Sequence, residues 1–371
     1  MSIPYSDEGN PVIATRVESC VEISKWDWDL FETSYDFQKQ PILCCMSQGF
    51  GIGDFYKKIR DLWIENTLKM QEHEEESNRI FIEAYGLQEE LSPMVPLKEI
   101  TLTCNPYYRY GMEADQVTGS REFPLQKDLE DRLLSDTMKE LISYSVGCMF
   151  GRYSLDKPGL ILANQGEALE DYMCQVLNPS FVPDKDNVIP LLEGEWFIDD
   201  IVSRFTDFLR VAFGTEKYSE NISFIEEAIG KPLRNYFLKD FYNDHVKRYK
   251  KRPIYWLFSS PNGSFNALIY MHRYTPDTAS IILNGYLREY IHKLRAKVSQ
   301  LEHQLNAGDQ NERDKMLTRK DIDRLQDVIS ELEAWESKVI LPLAEKRLEL
   351  DLDDGVKVNY AKFGTALKDL R

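Results

Sequence analysis

The chain has 371 residues, of which 43% are hydrophobic and 29% charged, and its formal net charge is -17. The length exceeds the roughly 250 to 300 residues that one hydrophobic core supports, so two or three domains are expected, and the ordinary composition excludes extensive disorder. No run of about 18 apolar residues and no signal peptide is present, which predicts a cytoplasmic protein that does not enter a membrane.

The six cysteines show no C-x-x-C pair and no accompanying histidine spacing. This pattern argues against a zinc site and against a disulfide framework. Cys44 and Cys45 follow two apolar residues, and we expect them to act as small buried hydrophobes in a reducing compartment. The sequence therefore predicts no metal site.

The first elements in chain order are a connector and a long helix. Residues 1–53 contain turn and loop signals and are predicted to be irregular. From about Asp54 to Tyr85 apolar residues recur at near-helical spacing, and Gly86 is a typical C-terminal stop. Residues 54–90 are thus predicted to form one exposed spacer helix.

Residues 91–275 are predicted to form an α+β domain. Short β-like runs occur at 100–104 and 160–163, and amphipathic helices are expected near 126–150 and 197–213. Pro253 is expected to end a basic helix. Two alternating runs on either side of Pro261-Asn262-Gly263 then predict a β-hairpin.

Residues 276–371 carry the clearest periodicity. Apolar residues from Leu287 to Leu305 and from Ile322 to Val339 keep spacings of four or three, which is typical of a coiled-coil seam. Two such helices joined by a short break favour an antiparallel hairpin, with pairing to another chain as the alternative. A closing β-hairpin is predicted over 348–360. The fold class expected for the whole chain is helix-rich α+β.

The most unusual local feature is a basic strip, residues 231–252. It contains eight Lys or Arg against two Asp, interleaved with tyrosine and phenylalanine, in a protein that is acidic overall. Screening confines charge effects to about 8 Å, so this strip can bind a polyphosphate despite the net charge. The alternative is the solvated end of a helix, where cations offset the macrodipole.

Three other motifs carry less chemistry. The glycines at 49–53 miss the spacing of a dinucleotide-binding loop, and a flexible connector explains them. Asn105-Pro106-Tyr107-Tyr108 resembles the N-P-P-Y motif that holds a flipped adenine, but Tyr107 replaces the second proline, and a strand followed by a turn is the alternative. The aspartates at 351–354 lack EF-hand spacing and fit a turn.

Three long strings resemble the C-terminal part of PglX, the adenine-specific DNA methyltransferase family of BREX phage-defence systems. They are Ser145-Val146-Gly147-Cys148-Met149-Phe150-Gly151-Arg152-Tyr153-Ser154-Leu155-Asp156, Lys250-Lys251-Arg252-Pro253-Ile254-Tyr255-Trp256-Leu257-Phe258-Ser259-Ser260, and Leu350-Asp351-Leu352-Asp353-Asp354-Gly355-Val356-Lys357-Val358-Asn359-Tyr360. Residues 28–37, 80–87 and 105–111 also fit. The similarity therefore extends over nearly the whole chain from about Trp26.

The resemblance implies a target-recognition module of a larger enzyme. In that family the catalytic motifs and the S-adenosylmethionine site lie in an upstream methyltransferase domain, which this chain is expected to lack. Residues 1–53 would be the connector from that domain. No catalytic and no cofactor-binding residue is carried over, so whether this chain alone is an enzyme stays open.

The function expected from the sequence is to position double-stranded DNA for N6-adenine methylation. Phosphate contacts are assigned to Lys247, Arg248, Lys250, Lys251 and Arg252, and base contacts to Tyr249 or loops near Arg109. Expected partners are the methyltransferase domain, other BREX proteins and a DNA-mimicking phage inhibitor. The alternative is a protein-interaction scaffold within the defence complex.

Overall fold

The computed structural model describes residues 11–44, 50–113, 123–306 and 311–370. By spatial contact the chain forms two compact units. The first comprises Met1–Tyr144 with Ala212–Gly230, and the second comprises Ser145–Val211 with Lys231–Arg371. The functional boundaries at 53, 90 and 275 stay a prediction.

Helices account for most of the described residues. In chain order they are α1 (Pro11–Asp29), α2 (Pro41–Cys44), α3 (Ile52–Tyr85), α4 (Pro106–Tyr110), α5 (Lys127–Phe150), α6 (Leu169–Gln175), α7 (Ile201–Phe213), α8 (Tyr218–Ile229), α9 (Leu233–Tyr236), α10 (Tyr242–Arg248), α11 (Thr278–Ile281), α12 (Arg288–Asn306), α13 (Glu312–Trp335), α14 (Leu341–Lys346) and α15 (Val356–Ala361). Turns of π-helix at Phe237–Phe241, Ile282–Leu287 and Glu336–Ile340 join neighbouring helices without a break. None of the described helices is long and apolar enough to cross a lipid bilayer.

The long helix predicted from about Asp54 to Tyr85 is confirmed as α3, whereas its role as a spacer stays a prediction. At its start the Asp54 carboxylate accepts a hydrogen bond of 3.0 Å from the backbone N–H of Gly51, which satisfies a donor that the helix leaves unpaired. At its end Gly86 adopts a left-handed conformation with φ of 67°, as expected for a glycine that stops a helix. Residues 52–70 have one buried face, whereas residues 71–85 include no buried residue.

The irregular structure predicted for residues 1–53 is wrong for residues 11–29, which form α1 and pack on α3. The connector role stays a prediction. Val12, Val17 and Val21 lower helix propensity and are exposed, so no clear apolar stripe marks the helix in the sequence. Cys44 is exposed, contrary to the expected burial, and Cys45 and Gly49 lie outside the described residues.

The fold class is confirmed as helix-rich α+β, but the strands are fewer than predicted. The runs at 100–104 and 160–163 are not strands; 100–104 forms buried loop and turn structure. Within 100–104, the Asp27 carboxylate accepts hydrogen bonds from the N–H groups of Thr103 at 2.6 Å and Cys104 at 2.9 Å. A side chain thus replaces the neighbouring strand as the backbone partner.

The predicted β-hairpin is confirmed. Strands β2 (Tyr255–Ser259) and β3 (Asn266–Tyr270) pair antiparallel, with Leu257 opposite Leu268. The short strand β1 (Ile189–Pro190) pairs antiparallel with the other edge of β3, so the strand order is β1-β3-β2. β3 is completely buried, as expected of a central strand.

The antiparallel helical hairpin is also confirmed, within one chain. α12 packs on α13, and ion pairs link Arg288 to Glu336 and Arg295 to Glu333, so that earlier residues meet later ones. The seam residues Leu294 and Leu332 are almost completely buried. The polar connector between the two helices includes 307–310, which lie outside the described residues.

The predicted closing β-hairpin over 348–360 is wrong. A 3₁₀ turn at Leu352–Asp354 leads into α15. The Asp351 carboxylate accepts a hydrogen bond of 3.0 Å from the N–H of Asp353, and the Asn359 side chain donates to the carbonyls of Asp351 and Gly355. These local side-chain bonds replace the strand pairing that the alternating leucines suggested.

Candidate nucleic-acid interface

The basic helix ends before Pro253 because backbone hydrogen bonds close its last turn. α10 stops at Arg248, and the N–H of Lys251 donates to the carbonyl of Val246 at 2.8 Å. The N–H of Lys250 donates to the carbonyl of Lys247 at 3.0 Å. These two bonds form a Schellman motif, which satisfies the last carbonyls of the helix. Residues 247–252 therefore form a compact basic turn.

Two consecutive lysines of the basic turn have left-handed backbone. Lys250 has φ of 50° and Lys251 has φ of 61°. For a residue with a Cβ this conformation costs about 1 kcal/mol or more, which is why glycine usually occupies the first of these positions. Strained positions of this kind cluster at functional sites.

Four cations of the basic turn have no acid partner among the residues that the structure describes. Lys247, Lys250, Lys251 and Arg252 are exposed, and none of them forms an ion pair with any residue that the structure describes. Arg248 and Tyr249 are half-buried. The structure thus brings together, on one turn, all the predicted contact residues between 247 and 252.

A buried histidine fixes the turn to the sheet. The Nε2 atom of His245 accepts hydrogen bonds of 3.1 Å from the N–H groups of Ile254 and Tyr255. Burial, with Arg248 and then Arg152 as smaller contributions, lowers the pKa of His245 well below its usual range. The ring is therefore neutral, and because Nε2 is an acceptor, the proton lies on Nδ1.

The first cations of the basic strip have structural partners instead. Lys231 pairs with Asp240 at 2.7 Å. Arg234 makes a bidentate contact with Asp200, with both N···O distances at 2.9 Å. Counting charges along the sequence therefore overestimates how many cations a ligand can reach. The accessible cations lie at the end of the strip.

Arg109 belongs to the first unit and is tied to acids. Its Nη2 atom lies 2.8 Å from Glu140 and 3.5 Å from Asp136, and its side chain is largely buried. Burial opposes its charged form, but Glu140, Tyr110 and Asp136 outweigh burial and raise the pKa of Arg109. The two acids hold the guanidinium in place. These contacts do not favour a contact between Arg109 itself and a DNA base, which stays a prediction.

The Asn105 motif holds protein backbone. The Asn105 side chain donates to the carbonyls of Leu97 at 2.7 Å and Ile100 at 3.0 Å and accepts from the N–H of Tyr107 at 3.1 Å. It is completely buried at the start of α4. Its polar atoms are used in capping a helix and closing a loop, so they do not offer the pair of acceptors that an adenine amine requires.

Comparison with known proteins agrees with the resemblance seen in the sequence. The chain is 36% identical over 95% of its length to the adenine-specific methyltransferase BrxX of Escherichia coli O9:H4 (strain HS). It is 33% identical over 98% of its length to the adenine-specific methyltransferase PglX of Lacticaseibacillus casei (strain Zhang). The chain resembles the PglX-type adenine-specific methyltransferases over nearly all of its length. No family model matches it.

The PglX-like chain spans less than a third of the curated relatives it matches, 29% of one and 28% of the other. One residue that fixes the basic turn was not recognised from the sequence. His245 stands inside the basic strip, but no local pattern distinguishes it, because its hydrogen bonds to Ile254 and Tyr255 form only in the folded chain.

Proposed function

We propose that this PglX-like chain is a DNA target-recognition region that positions double-stranded DNA for N6-adenine methylation. The observation that carries the proposal is the basic turn, where four exposed cations have no acid partner among the described residues and two of them have a strained backbone, in a protein of net charge -17. Phosphate neutralisation by Lys and Arg supplies most of the sequence-independent affinity for DNA. The names of the two relatives support an adenine-directed role.

In this proposal Lys247, Lys250, Lys251 and Arg252 contact phosphates, and Arg248 and Tyr249 lie at the edge of the same contact. The methyl donor, S-adenosylmethionine, would be bound by a separate methyltransferase domain. That domain and other defence proteins are the proposed protein partners, and a DNA-mimicking phage inhibitor would compete for the basic turn. Phosphate contacts alone set orientation, so sequence reading is assigned to neighbouring loops.

The test is a gel shift at moderate salt with a triple variant, Lys247→Glu, Lys250→Glu and Lys251→Glu. We expect the variant to lose DNA binding because three attractive contacts become repulsive. The matched control is Arg313→Glu, Arg319→Glu and Lys320→Glu, which changes the net charge equally at exposed positions of α13. Equal binding by the two triple variants would exclude the basic turn as the interface.

The scaffold alternative has less support. The seam between α12 and α13 is buried within the chain, so docking by the hairpin would use other faces. Charged substitutions at Leu294 or Leu332 would unfold the hairpin rather than test docking, because both side chains are nearly inaccessible. A pull-down with the triple variant of α13 is the better test, because it changes only exposed side chains.

A further inference from the structure

Arg152 occupies a second helix end in the same unit as the basic turn. Helix α5 stops at Phe150, Gly151 is left-handed with φ of 79°, and the N–H of Arg152 donates to the carbonyl of Gly147 at 2.8 Å. The N–H of Gly151 donates to the carbonyl of Cys148 at 3.1 Å. This is again a Schellman motif, and it fixes the backbone from which the Arg152 side chain starts.

Tyrosines hold two of the three guanidinium nitrogens of Arg152. Nε donates to the hydroxyl of Tyr153 at 3.2 Å, and Nη1 donates to the hydroxyl of Tyr270 at 3.0 Å. The Tyr270 hydroxyl in turn donates to the carbonyl of Leu162 at 2.7 Å, so its own proton is used. Among the residues that the structure describes, Nη2 of Arg152 has no hydrogen-bond partner, although the side chain is half-buried.

The groups that accept hydrogen bonds from the Arg152 guanidinium are uncharged phenols. No described carboxylate lies within ion-pair distance of its guanidinium. The neighbouring phenols are uncharged at neutral pH. Burial, with Arg152 as the next contribution, lowers the pKa of His272 to about 4, so this imidazole is neutral as well. Glu167, which acts on His272, is held by the N–H groups of Ala163 and Asn164.

A half-buried guanidinium without an acid is unfavourable, because its lost hydration is not replaced by an opposite charge. An unused, fork-shaped donor in a fixed position is suited to a planar or tetrahedral oxyanion. The tyrosine hydroxyls fix Nε and Nη1 and leave Nη2 for such a ligand. The geometry at Nη2 thus fits an oxyanion ligand.

A chain of ring contacts connects Arg152 to the basic turn. The rings of Tyr270 and Tyr255 lie 5.5 Å apart, those of Tyr255 and His245 4.7 Å, and those of His245 and Tyr249 4.8 Å. Tyr249 directly precedes Lys250 in the basic turn. Arg152 and Arg248 of the basic turn both act electrostatically on His245. Two cations near one buried ring favour a polyanion over a single carboxylate as the ligand.

We propose that Arg152 is a further phosphate-binding residue of this region, and that its Nη2 donates to a backbone phosphate of the bound DNA. The assignment to DNA rests on the proposed function. The binding of a phosphate group by Arg152 does not. Arg152 contacts the phosphate from within the tyrosine cluster, whereas the lysines contact neighbouring phosphates from the solvent side.

The first experiment measures the affinity of Arg152→Gln for a DNA duplex by fluorescence anisotropy over a series of salt concentrations. We expect affinity to fall about tenfold or more, as for loss of a charged hydrogen bond. The slope of log K against log salt should decrease by about one. Arg152→Lys keeps the charge but not the fork and should bind between the wild type and Arg152→Gln. The matched control Arg313→Gln removes an exposed arginine of α13 and should bind like the wild type.

The second experiment separates this inference from the proposed function by using inorganic pyrophosphate as the probe. Calorimetry of the wild-type chain should detect pyrophosphate binding that Arg152→Gln loses and Arg313→Gln retains. If the wild type fails to bind DNA but pyrophosphate binding still depends on Arg152, the proposed function is wrong and the phosphate site stands. If neither ligand depends on Arg152, the phosphate site is overturned.

A third measurement needs no variant, in case Arg152→Gln does not fold. Phenylglyoxal modifies accessible arginines, and peptide mass spectrometry identifies the modified residue. We expect Arg152 to react in the free wild-type chain and to be protected by pyrophosphate, while Arg313 reacts in both states. An Arg152 that is unreactive in the free chain, or that reacts equally with and without pyrophosphate, contradicts the proposal.

Discussion

The ends of α5 and α10 use the same backbone pattern with different residues. At α5 the N–H groups of Gly151 and Arg152 close the last turn, and at α10 those of Lys250 and Lys251 do so. Both ends place cations where the helix dipole is negative. The residue in the left-handed position is a glycine at α5 and a lysine at α10.

Packing explains the glycine but not the lysine. A Cβ on Gly151 would lie 3.0 Å from Leu162 and 3.2 Å from both Pro183 and Tyr172, so a side chain has no room there. Lys250 is exposed, and nothing prevents a glycine at this position. Close packing requires the glycine at the end of α5, whereas the end of α10 has a charged residue on a strained backbone that a glycine would relieve.

The largest effect on stability is expected at the α5 end. Gly151→Ala should lower the free energy of unfolding by about 2 to 3 kcal/mol, because left-handed strain and overpacking act together. Urea denaturation measures the difference. Gly230→Ala is the matched control. Gly230 also ends a helix with φ of 70°, but a Cβ added there would meet no atom within 4 Å. It should lose only about 1 kcal/mol, and an equal loss in both variants would contradict the packing explanation.

An intermediate effect on stability is expected when the pH is lowered, because of His245 near the end of α10. Because the pKa of His245 is lowered in the folded chain, mainly by burial and then by Arg248, only the unfolded chain takes up this proton just below pH 6.5. The free energy of unfolding should therefore fall as pH is lowered from 6.5 to 5, with a slope from this residue that approaches about 1.4 kcal/mol per pH unit towards pH 5. His245→Gln keeps an acceptor but cannot titrate, so its stability should fall less steeply.

The control for this experiment is the difference between the two proteins at pH 8, where His245 is neutral in both the folded and the unfolded state. Subtracting that constant difference removes the effect of the substitution itself. Parallel stability curves for wild type and His245→Gln between pH 6.5 and 5 would mean that His245 is charged in the folded chain. The neutral protonation state assigned to His245 would then be wrong.

The smallest effect, and the sharpest test of the comparison, is Lys250→Gly. Relief of the left-handed strain should raise the free energy of unfolding by about 0.5 to 1 kcal/mol. DNA binding should weaken because one phosphate contact is lost. Thermal denaturation and anisotropy measured on the same variant separate the two effects. Reduced stability would show that Lys250 is held by contacts rather than retained for its charge.

The sequence determined the elements that depend on local spacing. The four-and-three repeats at 287–305 and 322–339 specify the helical hairpin, because they place apolar side chains on one helix face. Alternation around Pro261-Asn262-Gly263 specifies β2 and β3. Gly86 specifies the end of α3, because glycine tolerates the left-handed conformation. The cluster of cations at 247–252 is visible in the sequence, and its role in binding stays a prediction.

Only the tertiary structure decided which polar groups are available to a ligand. Asp200 neutralises Arg234 and Glu140 neutralises Arg109 across 34 and 31 residues, and no pattern near either arginine shows this. Arg152 is the converse, since among the described residues the fold gives it tyrosine partners and no acid. Helix α1 and the capped loop at 103–104 also depend on distant contacts. Local spacing fixes which face of an element is apolar, whereas the partner of a charge depends on which distant segments the fold brings together.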